Sequence, residues 1–478
     1  MNILFVASEC APFVKTGGLA DVIGAVPKAL SALGHSVRVL IPGYPALAPQ
    51  MAAGKVVMTF SDLFGGPARV VAASAQGLDL LLLDAPHLFD RKGTLYLDEA
   101  GRDHPDNHLR FGALSLAGAH VASEGLGKWR ADVVNVHDWQ AGLLPAYLSQ
   151  MDGARPPVVM TIHNIAFQGV FPAQTLEPLK LAASLFTQDG IEYWGQISFL
   201  KAGLALSQKI TTVSPSYAAE ILTPEFGMGM EGLLRARAGD LTGILNGIDL
   251  DVWNPETDAA LPKTYSAKSQ TPKAANRREV EKRFDLKGKG PLFCVISRLT
   301  TQKGLDLLLD CLPGLVWRGA RLAVLGNGDK AIEQAFISAA SRYRGSVGVI
   351  IGYDEGLSHL MQGGCDAILI PSRFEPCGLT QLYGLRYGTI PVVARTGGLA
   401  DTIIDANHAA GFANCATGFQ FAPINAQLLD RAIARACDAF ENRKEWTAMV
   451  RRAMKHPVGW DQSAMAYLDV YTSAQGSA

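Results

Sequence analysis

The chain contains the string Lys15-Thr-Gly-Gly-Leu-Ala-Asp21 and repeats it, with a single change, as Arg395-Thr-Gly-Gly-Leu-Ala-Asp401. Each copy follows a short apolar run, Ile3–Ala7 in the first case and Ile390–Ala394 in the second, and each precedes a predicted helix. Paired glycines at a strand-to-helix turn let backbone amides approach a ligand closely. The repeat therefore indicates two similar α/β domains, which arose by duplication or by common use of one loop.

Short apolar runs alternate with longer helical stretches between the two copies. Many runs are continuously apolar, as expected for parallel strands that are covered on both faces. This alternation predicts an α/β fold of doubly wound sheets with right-handed crossovers. The predicted strands are Ile3–Ala7, Ser36–Ile41, Leu78–Leu83, Asp132–Val136, Val158–Ile162, Lys209–Val213, Leu292–Ile296, Arg321–Leu325, Val347–Ile351, Ala367–Ile370 and Ile390–Ala394.

The chain has 478 residues, which is too long for one hydrophobic core. A break is expected in Gly243–Asp249 and the stretch up to Lys273, which is rich in Pro, Ser and Thr and lacks periodicity. We therefore predict an N-terminal Rossmann-like domain over residues 1–245, a second over residues 246–457, and a C-terminal helical segment over residues 458–478.

Charge and composition exclude several classes of partner. The 43 basic and 44 acidic residues nearly balance, so a nucleic-acid partner is not expected. No run approaches the ~18 apolar residues of a membrane span. The start, Met1–Ser8, has no basic segment and predicts a strand rather than an export signal. Seven cysteines without a C-x-x-C pair favour reduced thiols in the cytoplasm.

Polar residues and glycines follow most of the predicted strands. In open parallel sheets, ligands bind outside the carboxyl ends of the strands, so these residues mark the expected site. They are Glu9 with the Lys15 loop, His137-Asp-Trp-Gln140, His163-Asn164, Ser214-Pro215, Ser297–Gly304, Gly326–Asp329, Gly352–Asp354 and Pro371–Gly378.

Three of these groups have a specific chemistry. Glycine amides and Lys15 at a helix start form a candidate anion-binding loop. Arg298 and Lys303 flank one turn and can converge on a diphosphate, where they would stabilise a departing nucleotide. Glu375, just before a helix, suits a sugar hydroxyl beside a phosphate. The alternatives are a surface lysine, two solvated cations and an N-terminal carboxylate that stabilises the helix dipole.

We predict no metal site, although two patterns in the sequence contain metal-ligand residue types. His137 and His163 end neighbouring strands, but no third ligand has suitable spacing. Asp249-Leu-Asp251 is a short D-x-D string in the expected interdomain turn. His104 and His108 are expected to share a surface-exposed helical face.

Taken together, these strings resemble those of bacterial glycogen synthases, a family that includes plant starch synthases. The resemblance covers nearly the whole chain. It rests on the two T-G-G-L-A-D loops, His137-Asp-Trp139, Thr161-Ile-His-Asn164, Leu245-Asn-Gly-Ile-Asp249, Ser297–Gly304 and Pro371-Ser-Arg-Phe-Glu-Pro-Cys-Gly-Leu-Thr-Gln381.

The resemblance implies a GT-B fold, in which two Rossmann-like domains face each other across a cleft and a C-terminal helix returns to the first domain. It implies retaining transfer of glucose from ADP-glucose to the non-reducing end of an α-1,4-glucan, with release of ADP. Neither a cofactor nor a metal is expected. The N-terminal domain would serve the acceptor and carry the Lys15 loop, while the second would bind the donor.

Site residues follow from the same resemblance. Lys15 and Gly18 would contact the donor phosphates, and Arg298 and Lys303 would stabilise the departing ADP. Glu375 would hold the glucose. The sugar–phosphate junction would be lined by Cys377, Gly378, Leu379 and Thr380.

The resemblance assigns further residues to the glucosyl group, to the acceptor and to the adenine of the donor. His163 would lie beside C6 of the glucosyl group and act with the catalytic set, and Tyr353 would lie near the adenine. Asp138, Trp139 and Asn164 would lie nearer the acceptor.

One position departs from the pattern of some relatives. An E-x₇-E motif would place a second glutamate where this chain has Tyr383, so that carboxylate's role does not transfer. Two other classes of protein remain as alternatives. A GT-B sugar-nucleotide epimerase or a phosphorylase would share the fold, and a phosphorylase would need a pyridoxal lysine. A two-lobed sugar-binding protein normally carries an export signal.

Overall fold

The computed structural model describes residues 1–476, and the chain divides into two compact units. The first comprises Met1–Asn246 together with the chain from Trp460 onward, and the second comprises Gly247–Gly459. Each unit has its own sheet and its own hydrophobic core.

The first unit is built on a nine-stranded sheet, with a small three-stranded sheet beside it. Its strands are β1 (Asn2–Val6), β2 (Ser36–Pro42), β3 (Lys55–Phe60), β4 (Ala68–Ala75), β5 (Leu78–Asp84), β6 (Val133–His137), β7 (Val158–Ile162), β8 (Val170–Pro172), β9 (Glu192–Tyr193), β10 (Gln196–Ser198), β11 (Lys209–Thr212) and β12 (Leu241–Gly243). The large sheet has the order β12-β11-β7-β6-β1-β2-β5-β4-β3, and only the pairs that involve β4 are antiparallel.

Helices cover this sheet. They are α1 (Gly18–Ala32), α2 (Ala48–Ala53), α3 (Pro86–Phe89), α4 (Asn107–Glu124), α5 (Asp138–Ala141), α6 (Leu144–Ser149), α7 (Phe199–Leu206), α8 (Pro215–Glu220) and α9 (Glu231–Ala236). Short 3₁₀ turns lie at Pro45–Leu47, Ala173–Thr175, Ala183–Leu185 and Ala238–Asp240. The central strands β1, β6 and β7 are almost fully buried, which explains their continuous apolar sequence.

The second unit has a six-stranded, entirely parallel sheet in the order β15-β14-β13-β16-β17-β18. Its strands are β13 (Leu292–Ile296), β14 (Arg321–Gly326), β15 (Val347–Ile351), β16 (Ala367–Ile370), β17 (Ile390–Ala394) and β18 (Phe419–Phe421). Its helices are α10 (Lys273–Arg283), α11 (Leu305–Trp317), α12 (Lys330–Arg342), α13 (Glu355–Gly364), α14 (Thr380–Tyr387), α15 (Gly397–Thr402), α16 (His408–Phe412), α17 (Ala426–Glu441) and α18 (Arg443–Lys455).

The last helix, α19 (Asp461–Gly476), packs in the first unit. The hydroxyl of Tyr471 donates to Oδ1 of the buried Asn135 on β6 at 2.7 Å, and Ser463 Oγ donates to the carbonyl of Leu245 at 2.5 Å. These bonds satisfy polar groups that would otherwise be costly to bury, and they fix α19 against the sheet.

All the strands predicted from the sequence are present, with ends that differ by at most about one residue. The strands that were not predicted lie mostly at sheet edges, as β3, β12 and β18 do, or in the small sheet. The prediction for His104 was wrong. It is buried, it precedes α4 rather than lying on it, and its Nε2 lies 3.5 Å from the carbonyl oxygen of Thr94.

Candidate active site

In the second unit, the turn after β13 packs directly on the segment after β16. The amide of Arg373 donates to the carbonyl of Gln302 at 2.9 Å. Gly304 has φ +68°, and a Cβ there would lie 1.9 Å from the carbonyl oxygen of Pro371. Only glycine meets both conditions, so the sequence brings the Lys303 turn against the Glu375 segment.

This packing places Lys303 and Glu375 in contact. Lys303 Nζ lies 2.5 Å from Glu375 Oε2, and Ser372 Oγ donates to the same oxygen at 2.9 Å. Glu375 is buried and Lys303 is largely so. Such a pair costs desolvation energy and is weak support for stability, which favours a role in binding. Arg298, from the same turn, is exposed.

The segment from Cys377 to Thr380 leads from this ion pair into α14. Gly378 has φ +73°, and Gln381 Nε2 donates to the carbonyls of Cys377 and Gly378 at 3.0 and 2.8 Å. These bonds fix the turn that begins the helix. The end of α14 nearest Glu375 is its N-terminus. The helix dipole gives this end a positive potential, which suits a phosphate.

The second copy of the repeated loop packs against the backbone of this segment. The amide of Gly398 donates to the carbonyls of Glu375 and Pro376 at 3.2 and 3.1 Å. A Cβ on Gly397 would lie 2.0 Å from the carbonyl oxygen of Glu375, and one on Gly398 would lie 2.2 Å from that of Cys377. The glycines of this copy are therefore required for packing.

The first copy is open. Lys15, Thr16, Gly17 and Gly18 are exposed, and a Cβ on either glycine would meet no atom within 4 Å. Lys15 Nζ forms an ion pair with Asp21 at 2.7 Å. The same sequence thus has two different surroundings, and only the first copy leaves its glycines accessible to a ligand.

Part of the predicted anion-binding loop is bound by the protein itself. The buried Glu9 carboxylate accepts from the amides of Thr16 and Gly17 at 2.5 and 3.3 Å, and from the hydroxyls of Thr16 and Tyr96 at 2.5 Å. The sequence placed Glu9 after β1 without giving it a role, and it gave no signal for Tyr96. Lys15 and Gly18 remain as the groups of this loop that an anion would meet.

A second cluster lies at the carboxyl ends of β6 and β7. Asp138 has φ +52°, a strained conformation for a residue with a side chain. Its Oδ1 accepts from the amides of His163 and Asn164 at 2.7 and 3.4 Å. His137 Nδ1 lies 3.0 Å from His163 Nε2. Four of the residues that the sequence predicted at strand ends are therefore in direct contact.

Burial sets the charge of this cluster. Desolvation raises the pKa of Asp138 to about 7, against the smaller effect of the backbone hydrogen bonds. It lowers the pKa of His163 to about 3 and that of His137 well below its usual value. Both imidazoles are therefore neutral near pH 7, and one donates to the other.

The remaining predicted residues have contrasting surroundings. Trp139 is buried, with its ring 4.9 Å from that of Phe111 and 5.8 Å from that of Phe171. Asn164 Oδ1 accepts from the amide of Ala166 at 3.0 Å. Tyr353 is 77% exposed, directly after β15, so its ring can stack on a planar base.

His137 and His163 are in contact, but Asp249 and Asp251 do not join them in a set of metal ligands. Asp249 Oδ1 accepts from the amides of Asp251 and Val252, as in an ordinary turn. Among residues 1–476 there is no group of three or more His, Cys, Asp or Glu side chains placed to hold a metal ion. In the same part of the chain, no helix has the length and apolar character that a membrane span requires.

Two Rossmann-like units carry cations and a carboxylate at the carboxyl ends of their strands, an arrangement found in glycosyltransferases of the GT-B fold, and the family models identify that class. Residues 2–236 match the family model for the starch synthase catalytic domain, and residues 276–453 match that for group 1 glycosyl transferases. The chain belongs to the glycogen synthase family. It is 66% identical over 478 residues to a glycogen synthase of Roseobacter denitrificans, which covers all of both chains.

Other relatives agree. A glycogen synthase of Jannaschia sp. is 57% identical over 471 residues, covering 98% of each chain. The catalytic domain of starch synthase IV from Arabidopsis thaliana, solved bound to ADP and acarbose, is 28% identical with a TM-score of 0.87, covering 99% of each chain. A sucrose-phosphate synthase from Thermosynechococcus elongatus, at 16% identity and a TM-score of 0.58, shares the fold.

Proposed function

We propose that this enzyme transfers glucose from ADP-glucose to the non-reducing end of an α-1,4-glucan, with retention of the α configuration and release of ADP. The observation that carries the proposal is the contact between Lys303 and Glu375 before α14. It puts a cation for a leaving phosphate beside a carboxylate for sugar hydroxyls, which is what a sugar–diphosphate junction requires. The glycogen synthase relatives and the ADP-bound starch synthase support the choice of substrates.

In this proposal the second unit binds the donor. An ammonium group has three donors, and Lys303 uses one on Glu375, so two remain for phosphate oxygens. Arg298 adds a second cation to the departing ADP. Glu375 accepts hydrogen bonds from glucose hydroxyls, and the Cys377–Thr380 segment presents its backbone to the phosphate. Tyr353 stacks on the adenine.

The first unit supplies the acceptor residues and further contacts to the donor. Lys15 and Gly18 contribute to phosphate binding, and Lys15 must then leave Asp21. His163 is neutral and serves as a hydrogen-bond partner of the glucosyl group rather than as a cation. Asp138 and Asn164 orient the acceptor. Trp139, whose ring packs among aromatic side chains, contributes mainly by shaping the acceptor side.

The chemistry proceeds on one face of the sugar. As the bond between C1 and the phosphate oxygen breaks, the acceptor 4-hydroxyl oxygen bonds to C1, and its proton moves to the departing phosphate oxygen. Arg298 and Lys303 stabilise the negative charge that develops on ADP. Glu375 and His163 hold the glucosyl group, so that most of the rate comes from positioning.

The proposal includes a cytoplasmic location. All seven cysteines are free thiols and six of them are buried, as expected in a reducing compartment.

A donor screen tests the proposed function. ADP-glucose, UDP-glucose and GDP-glucose are each supplied with glycogen, and nucleotide release and glucan growth are followed together. We expect the highest kcat/KM with ADP-glucose and equal amounts of ADP and transferred glucose. Release of nucleotide without growth of the glucan would contradict the proposal.

A further inference from the structure

Trp253 joins two helices of the second unit through a stack of three rings. Its indole is parallel to the ring of Tyr383, with centroids 3.6 Å apart, and to the imidazole of His359, at 3.8 Å. Two rings so close cannot share one face of an indole, so Trp253 lies between them. His359 belongs to α13 and Tyr383 to α14, so a single side chain from the segment before α10 contacts both helices.

Asp258, from the same segment, makes a second bridge between the two helices. Its Oδ2 accepts from His359 Nδ1 at 2.8 Å and from the hydroxyl of Tyr387 at 2.5 Å. All three residues are buried. A buried carboxylate is costly unless it is hydrogen-bonded, so both partners are needed and their positions are tightly set.

A third contact joins the helices directly. Gln362 of α13 donates through Nε2 to the carbonyl of Thr380 at 3.3 Å, at the first residue of α14. Tyr265 donates to the carbonyl of Tyr387 at 2.6 Å and fixes the other end of α14. Helix α14 is therefore held at its first residue by α13 and at its last residue by the segment before α10.

The two helices begin at the residues proposed for the donor. Tyr353 lies just before α13, and the Cys377–Thr380 segment leads into α14. We propose that Trp253 and Asp258 are positioning residues: they hold α13 and α14 at one spacing, so that Tyr353 and the Cys377–Thr380 segment engage the two ends of one nucleoside diphosphate. This inference rests on the proposed function.

The physical basis is preorganisation. A ligand whose two ends bind two helices gains affinity from the second contact only when the helices are already correctly spaced. The affinity of a fragment that binds only one of the two helices does not depend on their spacing. Tyr383 occupies the position of the second glutamate of an E-x₇-E motif, and here its aromatic ring stacks on Trp253.

The test uses the full-length enzyme and three variants: Trp253→Leu, which removes the stack; Trp253→Phe, which keeps an aromatic ring; and Trp317→Leu. Trp317 is in the same unit and is 85% exposed, so its variant is a matched control for the loss of a tryptophan. Inhibition constants are measured for ADP, for AMP and for pyrophosphate, together with thermal unfolding. AMP represents the adenine end and pyrophosphate the phosphate end.

We expect Trp253→Leu to weaken ADP binding at least about tenfold, while AMP and pyrophosphate change by less than about threefold. Trp253→Phe should recover most of the ADP affinity, and Trp317→Leu should match the unchanged enzyme. Unaltered ADP binding in Trp253→Leu would overturn the positioning role. So would a parallel loss of ADP and both fragments, which indicates that the second unit has unfolded locally. If the unchanged enzyme binds no ADP, the proposed function fails together with this inference.

Discussion

The ammonium nitrogen of Lys303 lies 2.5 Å from Oε2 of Glu375, although 72 positions separate the two residues in the chain. The contact exists because Gly304 allows the turn after β13 to lie against Pro371. A pair that is largely buried does little for stability once its desolvation is counted. The pair instead prepares a site for a ligand that carries both hydroxyl groups and phosphates.

Glu375→Gln is expected to lower kcat/KM for ADP-glucose by more than about tenfold, a loss of at least ~1.4 kcal/mol of transition-state stabilisation. The amide keeps the size of the side chain but loses the charge that pairs with Lys303 and binds sugar hydroxyls. The measurement is the initial rate of ADP release with glycogen present.

Glu279→Gln is the matched control for this variant. Glu279 forms an exposed ion pair with Arg283 on α10, in the same unit. Exposed pairs contribute ~0–1 kcal/mol, so turnover and unfolding should be unchanged. If Glu375→Gln behaves like this control, Glu375 is not catalytic.

Gly18 and Gly398 occupy equivalent positions in the two copies of the repeated loop, but their substitution by Ala should have different effects, on donor binding in the first case and on stability in the second. A Cβ on Gly18 meets no atom within 4 Å, so stability should be unchanged. The KM for ADP-glucose should rise several-fold, because Gly18 is proposed to contact the donor phosphates. A Cβ on Gly398 would lie 2.2 Å from Cys377 O, so unfolding should occur at lower temperature. Thermal unfolding and donor KM of both variants check this, and an unstable Gly18→Ala protein would contradict it.

Asp138→Asn should remove one part of the dependence of stability on pH. The folded protein holds a proton on Asp138 up to about pH 7, whereas the unfolded chain releases it near its ordinary pKa of 3.8. The wild-type protein therefore loses stability from this group as the pH rises from about 4 to about 7. Asparagine is neutral throughout and still offers an oxygen to the amide of His163.

Thermal unfolding of both proteins between about pH 5 and pH 8 is the measurement. The unfolding temperature of Asp138→Asn should rise relative to that of wild type as the pH increases, with activity reduced by loss of the acceptor contact. His163 contributes in the opposite sense below its ordinary pKa of 6.5, but it is common to both proteins and cancels in the difference. A difference that does not change with pH would contradict the raised pKa.

Transfer should continue in excess EDTA. Arg298 and Lys303 are proposed to meet the charge of the departing ADP, and Asp249 is engaged by the amides of Asp251 and Val252. Activity should remain within about twofold of the untreated enzyme. Loss of activity that is restored by Mg²⁺ or Mn²⁺, but not by Na⁺, would show that a metal is needed and would return attention to Asp249 and Asp251.

The sequence predicted the parallel strands because burial on both faces leaves a continuous apolar run, as in β6 and β7. It did not reveal β3, whose residues are exposed or half-buried and which pairs only with β4. Edge strands have few packing contacts to constrain their residues, so their pattern is weak.

For the candidate site, the parallel direction of the strands explains which residues could be proposed from the sequence. The residues at the carboxyl ends of the strands could be proposed from the sequence because parallel strands bring those ends to one edge of the sheet. The contact of Lys303 with Glu375 was not predictable, because it depends on how two loops pack. Nor was the contrast between the two T-G-G-L-A-D copies, since identical residues are open at Gly18 and packed at Gly398. The surroundings of His104 likewise depend on a carbonyl from another segment.

The most direct measurement follows labelled glucose from ADP-glucose into glycogen and then digests the product with β-amylase, which removes maltose from non-reducing α-1,4 ends. We predict that label enters the glucan in equal amount to the ADP released, and that nearly all of it is recovered as maltose. Label recovered only as free glucose or glucose 1-phosphate, or held in a product that β-amylase does not cleave, would contradict transfer to the non-reducing end of an α-1,4-glucan.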